Sequence, residues 1–536
     1  MTDNTGNRSS YHIFTFPFKW DFKPKDKLLE ETDFSTRTSL NEFDKLLRSN
    51  SDWEKNTFKI NDPSDFNEYI YFYDFAREAL YPNEKNSETL SQYEIKTSPQ
   101  SLYKIKIKDS NEPYTLPIDK ILLTIYFTGV GVLSFHLANN RYTEFSDILR
   151  INEFGRRLYP QFLGGEPLTQ VPKIAFLAES LEVRIDNKRR FKEDFKDFDK
   201  KDKLDANRHR LSEIIMGVLG DAFYTESKDE RKDKSGIRIS PILDDRMFVL
   251  CWLADQELCK KLSLCNDVNT YAYSENDDWY KLVFIDKDSP SCTSIPMKKR
   301  LLTEHTYDRW IGPEWSSLFG VTRYSFIVLN DNPVTFVKDH LKTMYFRMVQ
   351  LALVQRASIL RFSDEASRIA DMKEHENTTE NLSKLQKKYL QFINKIYFRE
   401  ITAFEQGIEL YEKIVEAMKI ERDVKTLDQE IEELHHYASL QEEKRRNDLL
   451  TTLSIIGALF LIPAFITGFF GMNTFSEGLK VAAPGKLWVI LGVILIACLI
   501  VTLGIIRHDK RKKTALIGLG VVVILILMIL SVIYFG

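Results

Sequence analysis

The chain changes its hydrophobic pattern twice. From about residue 11 to 330, short runs rich in aromatic and β-branched residues are separated by polar segments, which predicts a mixture of strands and helices. From Val334 apolar residues recur at helical spacing, and beyond Leu449 come three apolar runs of at least 20 residues each. In the first region, Tyr11 to Phe18 predicts a strand, with Pro17 marking its end as an edge. Ile121 to Phe127 and Val130 to Leu137 predict a hairpin about Thr128-Gly129, and Phe145 to Tyr159 a helix stopped by Pro160. Phe248 to Leu253, Lys281 to Ile285 and Thr322 to Leu329 are further strand candidates. These elements imply an α/β domain with one main sheet over residues 1–333. Asn187 to Arg210 and Glu226 to Arg238 mix both charge signs with few large apolar residues, as solvated insertions do.

Residues 334–448 predict a helical stalk. Val337 to Ala370 and Glu380 to Ile420 are rich in helix formers and free of proline, so each predicts one helix. Leu427, Ile431, Leu434 and Ala438 follow spacings of 4, 3 and 4, an apolar seam for bundling. No proline or glycine interrupts Asp423 to Ile456, so this helix is expected to run unbroken into the first apolar run.

The three runs are Leu449 to Phe470, Leu487 to Ile506 and Thr514 to Phe535. Each is long enough, at a rise of about 1.5 Å per residue, to span a hydrocarbon core of roughly 30 Å. The predicted segments are a first membrane helix over 449–473, an external loop over 474–486 and a second helix over 487–506. A basic cluster over 507–513 and a third helix over 514–536 follow. Lys444, Arg445 and Arg446 precede the first span, and Arg507, Lys510, Arg511, Lys512 and Lys513 separate the second from the third. The positive-inside rule puts both groups on the cytoplasmic side and Gly536 outside. Met1 to Ser10 is polar and lacks the apolar core of a secretory signal, so the large domain is expected in the cytoplasm, on a multi-pass protein of the inner membrane.

Composition narrows the partners. With 74 basic against 77 acidic residues, overall charge gives no case for nucleic acid. Cys251, Cys259, Cys265, Cys292 and Cys498 are odd in number and form no C-x-x-C pair, which predicts reduced, mostly buried thiols. There is no G-x-S-x-G, Walker A or H-E-x-x-H sequence, and His435-His436 lies on the stalk as a solvated pair, so no enzymatic activity is expected.

Gly471-Met472-Asn473 closes the first span, after a long stalk helix and before a short loop and a second span that ends in basic residues. This arrangement resembles the CorA family of magnesium channels, strongly over residues 423–513 and in architecture over the rest. The resemblance implies a homopentameric funnel, with Gly471, Met472 and Asn473 as selectivity filter and magnesium or another divalent cation as permeant ion. Five copies of Asn473 would present neutral carbonyls to a hydrated ion, which suits magnesium because it sheds water reluctantly. Carried over along the chain, the implied pore lining is Asn447, Leu450, Leu453, Gly457, Leu461, Ala464, Gly468 and Gly471. The spacings of 3 and 4 put these on one helix face, where glycines permit close approach and leucine rings could gate by dewetting. Lys510, Arg511, Lys512 and Lys513 would form the basic cytoplasmic ring.

The chain departs from the family pattern. Leu461-Ile462-Pro463-Ala464-Phe465 has alanine where a pore-facing threonine is typical, and Glu477 stands against Lys480 and Lys486 in the loop. Cation focusing is expected to be weaker than in relatives. Glu442, Glu443 and Asp448 read as a solvated face rather than as regulatory magnesium ligands.

A domain this large could bind a ligand that opens the pore. Arg156, Arg157 and Tyr159 follow the Thr128-Gly129-Val130-Gly131 turn, and His305, Tyr307, Arg309 and Trp310 with Arg323 and Tyr324 form an aromatic and basic run. Arginine suits phosphate and aromatic rings suit bases. The opening Phe14 to Trp20 and the enlarged domain resemble CorA-type membrane proteins encoded beside type III CRISPR systems, which implies antiviral defence through a nucleotide messenger, adenylated S-adenosylmethionine. A third possibility is a non-conducting membrane-anchored scaffold.

Overall fold

The computed structural model describes residues 8–22, 38–50, 52–82, 88–108, 110–158, 177–187, 189–195, 211–225, 236–243, 246–265, 270–312, 316–331, 336–371 and 378–471. The chain divides into two compact units, Met1–Leu434 and His435–Gly536.

The first unit is built on one mixed sheet. In chain order its strands are β1 (Ser9–Phe22), β2 (Glu54–Asn56), β3 (Leu90–Ile95), β4 (Leu102–Lys106), β5 (Tyr114–Tyr126), β6 (Val130–Asn139) and β7 (Ser180–Arg184). They continue as β8 (Arg190–Asp194), β9 (Phe223–Tyr224), β10 (Ile237–Pro241), β11 (Phe248–Ala254), β12 (Thr306–Trp310), β13 (Ser317–Val321) and β14 (Ser325–Asn330). The main spatial order is β12-β13-β14-β11-β1-β6-β5-β4-β7-β8. Only β11 with β14 and β9 with β10 run parallel among the described pairs.

β1 is central, not the edge that Pro17 suggests. It pairs with β6 from Ser10 to Lys19 on one side. On the other it pairs with β11 over Ser9 to Thr15 and with β10 over Phe18 to Phe22. The Trp20 amide donates to the Gly129 carbonyl at 2.9 Å, so amides of even-numbered residues point toward β6. Pro17, which has no amide hydrogen, therefore points to the other side, in the gap where β11 has ended and β10 has not begun. Both faces of β1 are covered, and Ile13, Phe14, Phe16, Phe18 and Trp20 are fully buried. The Phe145–Gly155 helix lies against the Phe14 face, and Gly155 leaves no room for a side chain beside the Phe14 ring. A helix at Phe346–Ala370 covers the other face, its Phe346 ring 4.8 Å from His136, which pairs with Ile13.

The β5–β6 hairpin forms where expected. Gly129 takes a φ of 75°, and its amide donates to the Tyr126 carbonyl at 2.9 Å. Other expectations are corrected. The helix from Phe145 ends at Gly155, and Arg157 leaves it to form a bridge with Arg246. Lys281 to Ile285 belongs to a helix, Asp277–Phe284, whose N-terminal amides at Asp278 and Trp279 donate to the Asn276 side chain. Its apolar residues Trp279, Tyr280, Leu282 and Val283 are buried at helical spacing, and Ile285 closes it in the left-handed region. Thr322 to Tyr324 is the turn between β13 and β14 rather than strand. Within the two supposed insertions, Arg190–Asp194 and the start of Ile237–Pro241 are strands of the sheet, while 196–210 and 226–235 lie outside the described residues.

The stalk begins as Phe336–His340, passes through a π turn at Leu341–Tyr345 and continues as the first long stalk helix, Phe346–Ala370. The single helix expected from Glu380 to Ile420 is two helices, Thr378–Lys395 and Glu405–Ala417. Between them Ile396 and Ile401 are buried, and the freed carbonyls find donors elsewhere. Gln355 Nε2 donates to Ile396 at 2.8 Å, the Tyr411 hydroxyl to Phe398 at 3.0 Å and the Tyr73 amide to Ile401 at 2.9 Å. Tertiary contacts thus override good helix propensity. Lys419, at a φ of 58°, turns the chain into the helix Ile420–Gly471.

That 52-residue helix is unbroken, as expected. Of the predicted seam, Leu427, Ile431 and Ala438 are buried and Leu434 is half-buried. Among the described residues no helix is long and apolar enough to cross a membrane. The first apolar run continues this helix to Gly471, with side chains described as far as Gly457 and at Leu461, and the second and third runs lie outside the described residues. Cys251 and Cys259 are free and buried, and burial pushes the Cys251 thiol up to about 12. Cys265 is exposed and Cys292 half-exposed, against the expectation of mostly buried thiols.

Candidate functional site

Two groups of residues carry the functional argument, one on the helix of the second unit and one in the first unit. On the Ile420–Gly471 helix, Asn447, Leu450, Leu453, Gly457 and Leu461 are all exposed, the three leucines at 54%, 60% and 67%. A side chain added at Gly457 would meet no neighbour within 4 Å. Asp448, Thr452 and Ile455 are half-buried. At about 100° per residue these lie on the side of the helix opposite the exposed stripe. Thr451 and Ser454 return their hydroxyls to the Asn447 and Leu450 carbonyls at 2.7 and 2.8 Å, which keeps the helix surface apolar where it would otherwise present free hydroxyls. Ala464, Gly468 and Gly471 continue the stripe along the helical backbone. Met472 and Asn473 of the expected filter and Lys510, Arg511, Lys512 and Lys513 lie outside the described residues. Glu442, Glu443, His435 and His436 are exposed, whereas Asp448, expected on the same solvated face as the two glutamates, is half-buried. No group of residues suited to holding a metal ion occurs among the described residues.

The second group joins residues that are distant in sequence. Arg156 and Arg157 leave the Phe145–Gly155 helix and share Glu153, each at 2.8 Å. The Met247 amide donates to the Arg156 carbonyl at 2.8 Å, and Arg157 pairs with Arg246, so their side chains leave the same face. The Arg246 guanidinium lies 4.5 Å from the Tyr324 ring centre, and Arg356 of the first stalk helix lies 5.8 Å from it. Arg356 also donates to the Arg323 carbonyl at 3.2 Å. Arg156 and Arg323 each keep a buried Nε without a hydrogen-bond partner. Burial pushes the Arg156 guanidinium below its ordinary range; Glu153 opposes this, while Arg157 and Arg246 add to it.

The sequence-derived candidates thus separate. Arg156, Arg157, Arg323 and Tyr324 come together, and Tyr159 lies outside the described residues. Arg309 and Trp310 stand apart on β12, where Arg309 is held by Glu405 at 2.6 Å and Glu409 at 2.5 Å, and Tyr307 donates to Glu409. His305 pairs with the Val321 carbonyl at 2.7 Å, as a structural residue does. Arg246, Arg356 and Glu153 were missed. The Glu153-x-x-Arg156-Arg157 spacing signalled the first pairing, since residues three and four apart share a helix face. Arg246 and Arg356 carried no local signal.

A family model described as CorA-like Mg2+ transporter protein matches residues 361–511, less than a third of the chain. The match begins on the first stalk helix and includes all of the Ile420–Gly471 helix and its stripe. None of the curated proteins searched matches the chain.

Proposed function

We propose that the chain is one subunit of a homopentameric cation channel of the inner membrane, with magnesium or another divalent cation as permeant ion. The observation that carries this is the CorA-like match over a helix whose Asn447, Leu450, Leu453, Gly457 and Leu461 are exposed on one side, with Asp448, Thr452 and Ile455 half-buried on the other. Five such stripes around an axis would make a narrow, mainly apolar conduit, with Asn447 at its cytoplasmic end and Asn473 at its outer mouth. In this reading the second and third apolar runs face lipid. The experiment is flux of magnesium and of monovalent ions through the purified protein in liposomes, with Asn473→Ala and Gly468→Trp beside the native chain. Flux lost in both variants supports the pore. Equal behaviour of all three, or no flux under any condition, leaves a scaffold and removes the channel.

A second reading, favoured by the arginine group about Tyr324, is a pore that opens only when the first unit binds a phosphate-bearing messenger such as adenylated S-adenosylmethionine. Flux that is silent until the nucleotide is added would separate this reading from constitutive transport.

A further inference from the structure

We infer that a cavity at the β7–β8 end of the sheet binds a small zwitterion with a large apolar side chain, a free apolar amino acid. The inference goes beyond both readings above and does not depend on which ion the pore passes.

Three segments distant in sequence enclose the cavity: Asp52 and Trp53 ahead of β2, the β7–β8 hairpin, and the end of the Glu213–Leu219 helix with Gly220 and Asp221. Its volume is about 240 Å³. That is below the roughly 300–1,000 Å³ of pockets for drug-sized ligands, so the fitting occupant is a small metabolite. Local geometry holds the space open. Gly220 ends the helix at a φ of 92°, and a β-carbon there would meet nothing within 4 Å. At Gly217 a β-carbon would lie 2.2 Å from the Phe191 ring, so this ring rests on the helix backbone and forms a wall. Trp53 is buried, and its Nε1 donates to the Leu219 carbonyl at 3.2 Å, which fixes the indole against the same helix end. Ile95 and Ile185, both buried, complete the apolar part of the lining.

The polar part of the lining carries both signs of charge. The half-buried Arg189 places Nε and Nη2 3.0 and 2.9 Å from Asp186 Oδ2, and Nη1 2.6 Å from Asp52 Oδ2. Each terminal nitrogen carries a second N–H, so the guanidinium has donors for a further carboxylate without giving up either partner. The Asp52 carboxylate is 70% exposed and can accept more than the one bond, and Asp221 belongs to the same lining. A purely negative ligand would meet these carboxylates, and a purely positive one would meet Arg189. A zwitterion answers both. Its carboxylate pairs with Arg189 and its ammonium with Asp52 and Asp221, while its side chain lies on Trp53 and Phe191, where burial of apolar surface adds affinity.

The cavity adjoins a helix that meets the stalk. The Leu40–Asn50 helix ends just before Asp52, and its Phe43 ring lies 4.9 Å from that of Trp20, whose carbonyl accepts from Arg361 of the first stalk helix. Thr38, ahead of the same helix, accepts from Lys388 of the Thr378–Lys395 helix at 2.6 Å. An amino acid that binds one arrangement of the Leu40–Asn50 helix more tightly biases the stalk by that difference in affinity. This consequence rests on the ligand-gated reading, and the site itself does not.

The test measures binding apart from flux. The full chain in detergent is titrated at constant ionic strength with L-phenylalanine, L-leucine, glycine, phenethylamine and 3-phenylpropionate, reading the melting temperature and retained radiolabelled L-phenylalanine. The expected result is saturable binding of phenylalanine and leucine, with glycine and each singly charged analogue weaker by about tenfold or more, as loss of apolar contact or of one charge-assisted bond implies. Arg189→Gln and Asp52→Asn are expected to weaken phenylalanine by about tenfold, while Arg141→Gln, at an exposed arginine outside the lining, leaves it unchanged. Arg189→Lys keeps the charge, and its partial recovery separates lost binding from lost folding. Glycine or a singly charged analogue binding as tightly as phenylalanine overturns the inference. So does the absence of saturable binding, or binding unchanged in Arg189→Gln and Asp52→Asn when both variants melt as the native chain does. Flux altered by phenylalanine in the native chain and not in Arg189→Gln supports the link to the stalk. Binding in a chain whose flux never responds removes that link and leaves the site standing.

Discussion

Arg361 of the first stalk helix donates to the carbonyl oxygen of Gly129, the left-handed residue at the tip of the β5–β6 hairpin. The same nitrogen reaches the Trp20 carbonyl at 2.6 Å, so one fully buried guanidinium holds the hairpin and the end of β1 to the stalk. The second stalk helix adds Lys388, whose ammonium donates to the Phe127 carbonyl at 3.2 Å and the Thr38 hydroxyl at 2.6 Å. Arg361→Leu takes this donor from the buried Trp20 carbonyl and leaves the Gly129 carbonyl with the Trp20 amide, and is expected to cost about 2 kcal/mol. Hydrogen exchange reads this locally: amides from Tyr126 to Val132 lose protection while those of β11 keep theirs. Uniform loss across the sheet would mean that the contact supports the whole domain, and no loss would mean that it is replaced.

His12 makes stability depend on pH. Its ring is fully buried in β1, with Nδ1 2.7 Å from Asn152 Oδ1 and Nε2 2.9 Å from Ser10 Oγ, and burial lowers its pKa to about 4, opposed by the Asn152 contact. The folded chain therefore holds the ring neutral where the unfolded chain, titrating near 6.5, has already protonated it. Between about pH 6.5 and 4 the unfolded state binds more protons, so stability falls as pH falls, by about 3 kcal/mol over the window. His136, also lowered chiefly by burial, with Lys120 first among the cations that add to it, acts in the same direction. Urea midpoints of the native chain and His12→Gln across this window check the point, and the variant is expected to show the shallower slope.

The sequence was most readable where one kind of force acts alone. Aromatic and β-branched runs marked β1, the β5–β6 hairpin and β11, because burial on both faces selects those residues. The Ile420–Gly471 helix followed from the lack of proline or glycine between Asp423 and Ile456, whereas the residues of the stripe came only from the resemblance to the channel family. Reading failed where tertiary contacts decide. Leu282, Val283, Phe284 and Ile285 look like strand, and only the Asn276 cap and the packing of Trp279 show a helix. The break after Lys395 has no proline or glycine to announce it, since carbonyls bonded to Gln355, Tyr411 and Tyr73 stabilise it from a distance. Arg246 and Arg356 lie 110 residues apart and meet at Tyr324 only because β11 and β14 run side by side.

Tyr307 and Glu409 link β12 to the third stalk helix, Glu405–Ala417, and Arg309 bonds the same carboxylate. The Tyr307 bond, then the Arg309 contacts, lowers the Glu409 carboxyl below its ordinary range against a burial effect that raises it. A lowered carboxyl pKa contributes stability above the unfolded value and loses it as pH falls through the folded one, so this link weakens in acid. Tyr307→Phe is expected to cost about 1 kcal/mol, and Arg309→Ala less, because the ion pair is solvent-screened. A double-mutant cycle of Tyr307→Phe with Glu409→Gln tests the coupling. Additive losses would show that the two side chains act independently.

The leucine stripe carries the last prediction. If Leu450, Leu453 and Leu461 face a shared axis, their rings resist water entry, and a resting pore stays closed without a protein plug. Leu453→Ser shrinks the side chain and adds a hydroxyl to one of these leucine rings, so water and ions are admitted more readily. Basal flux is then expected to rise about tenfold, corresponding to about 1.4 kcal/mol off the barrier. Leu449→Ser supplies the control: Leu449 is 58% exposed, near the 60% of Leu453, and lies outside the stripe, about 40° from Leu453 on its far side. A rise confined to Leu453→Ser supports gating by dewetting along the stripe. An equal rise in Leu449→Ser, or no rise in either, would place the conduction path on another face of the helix or remove it from this helix altogether.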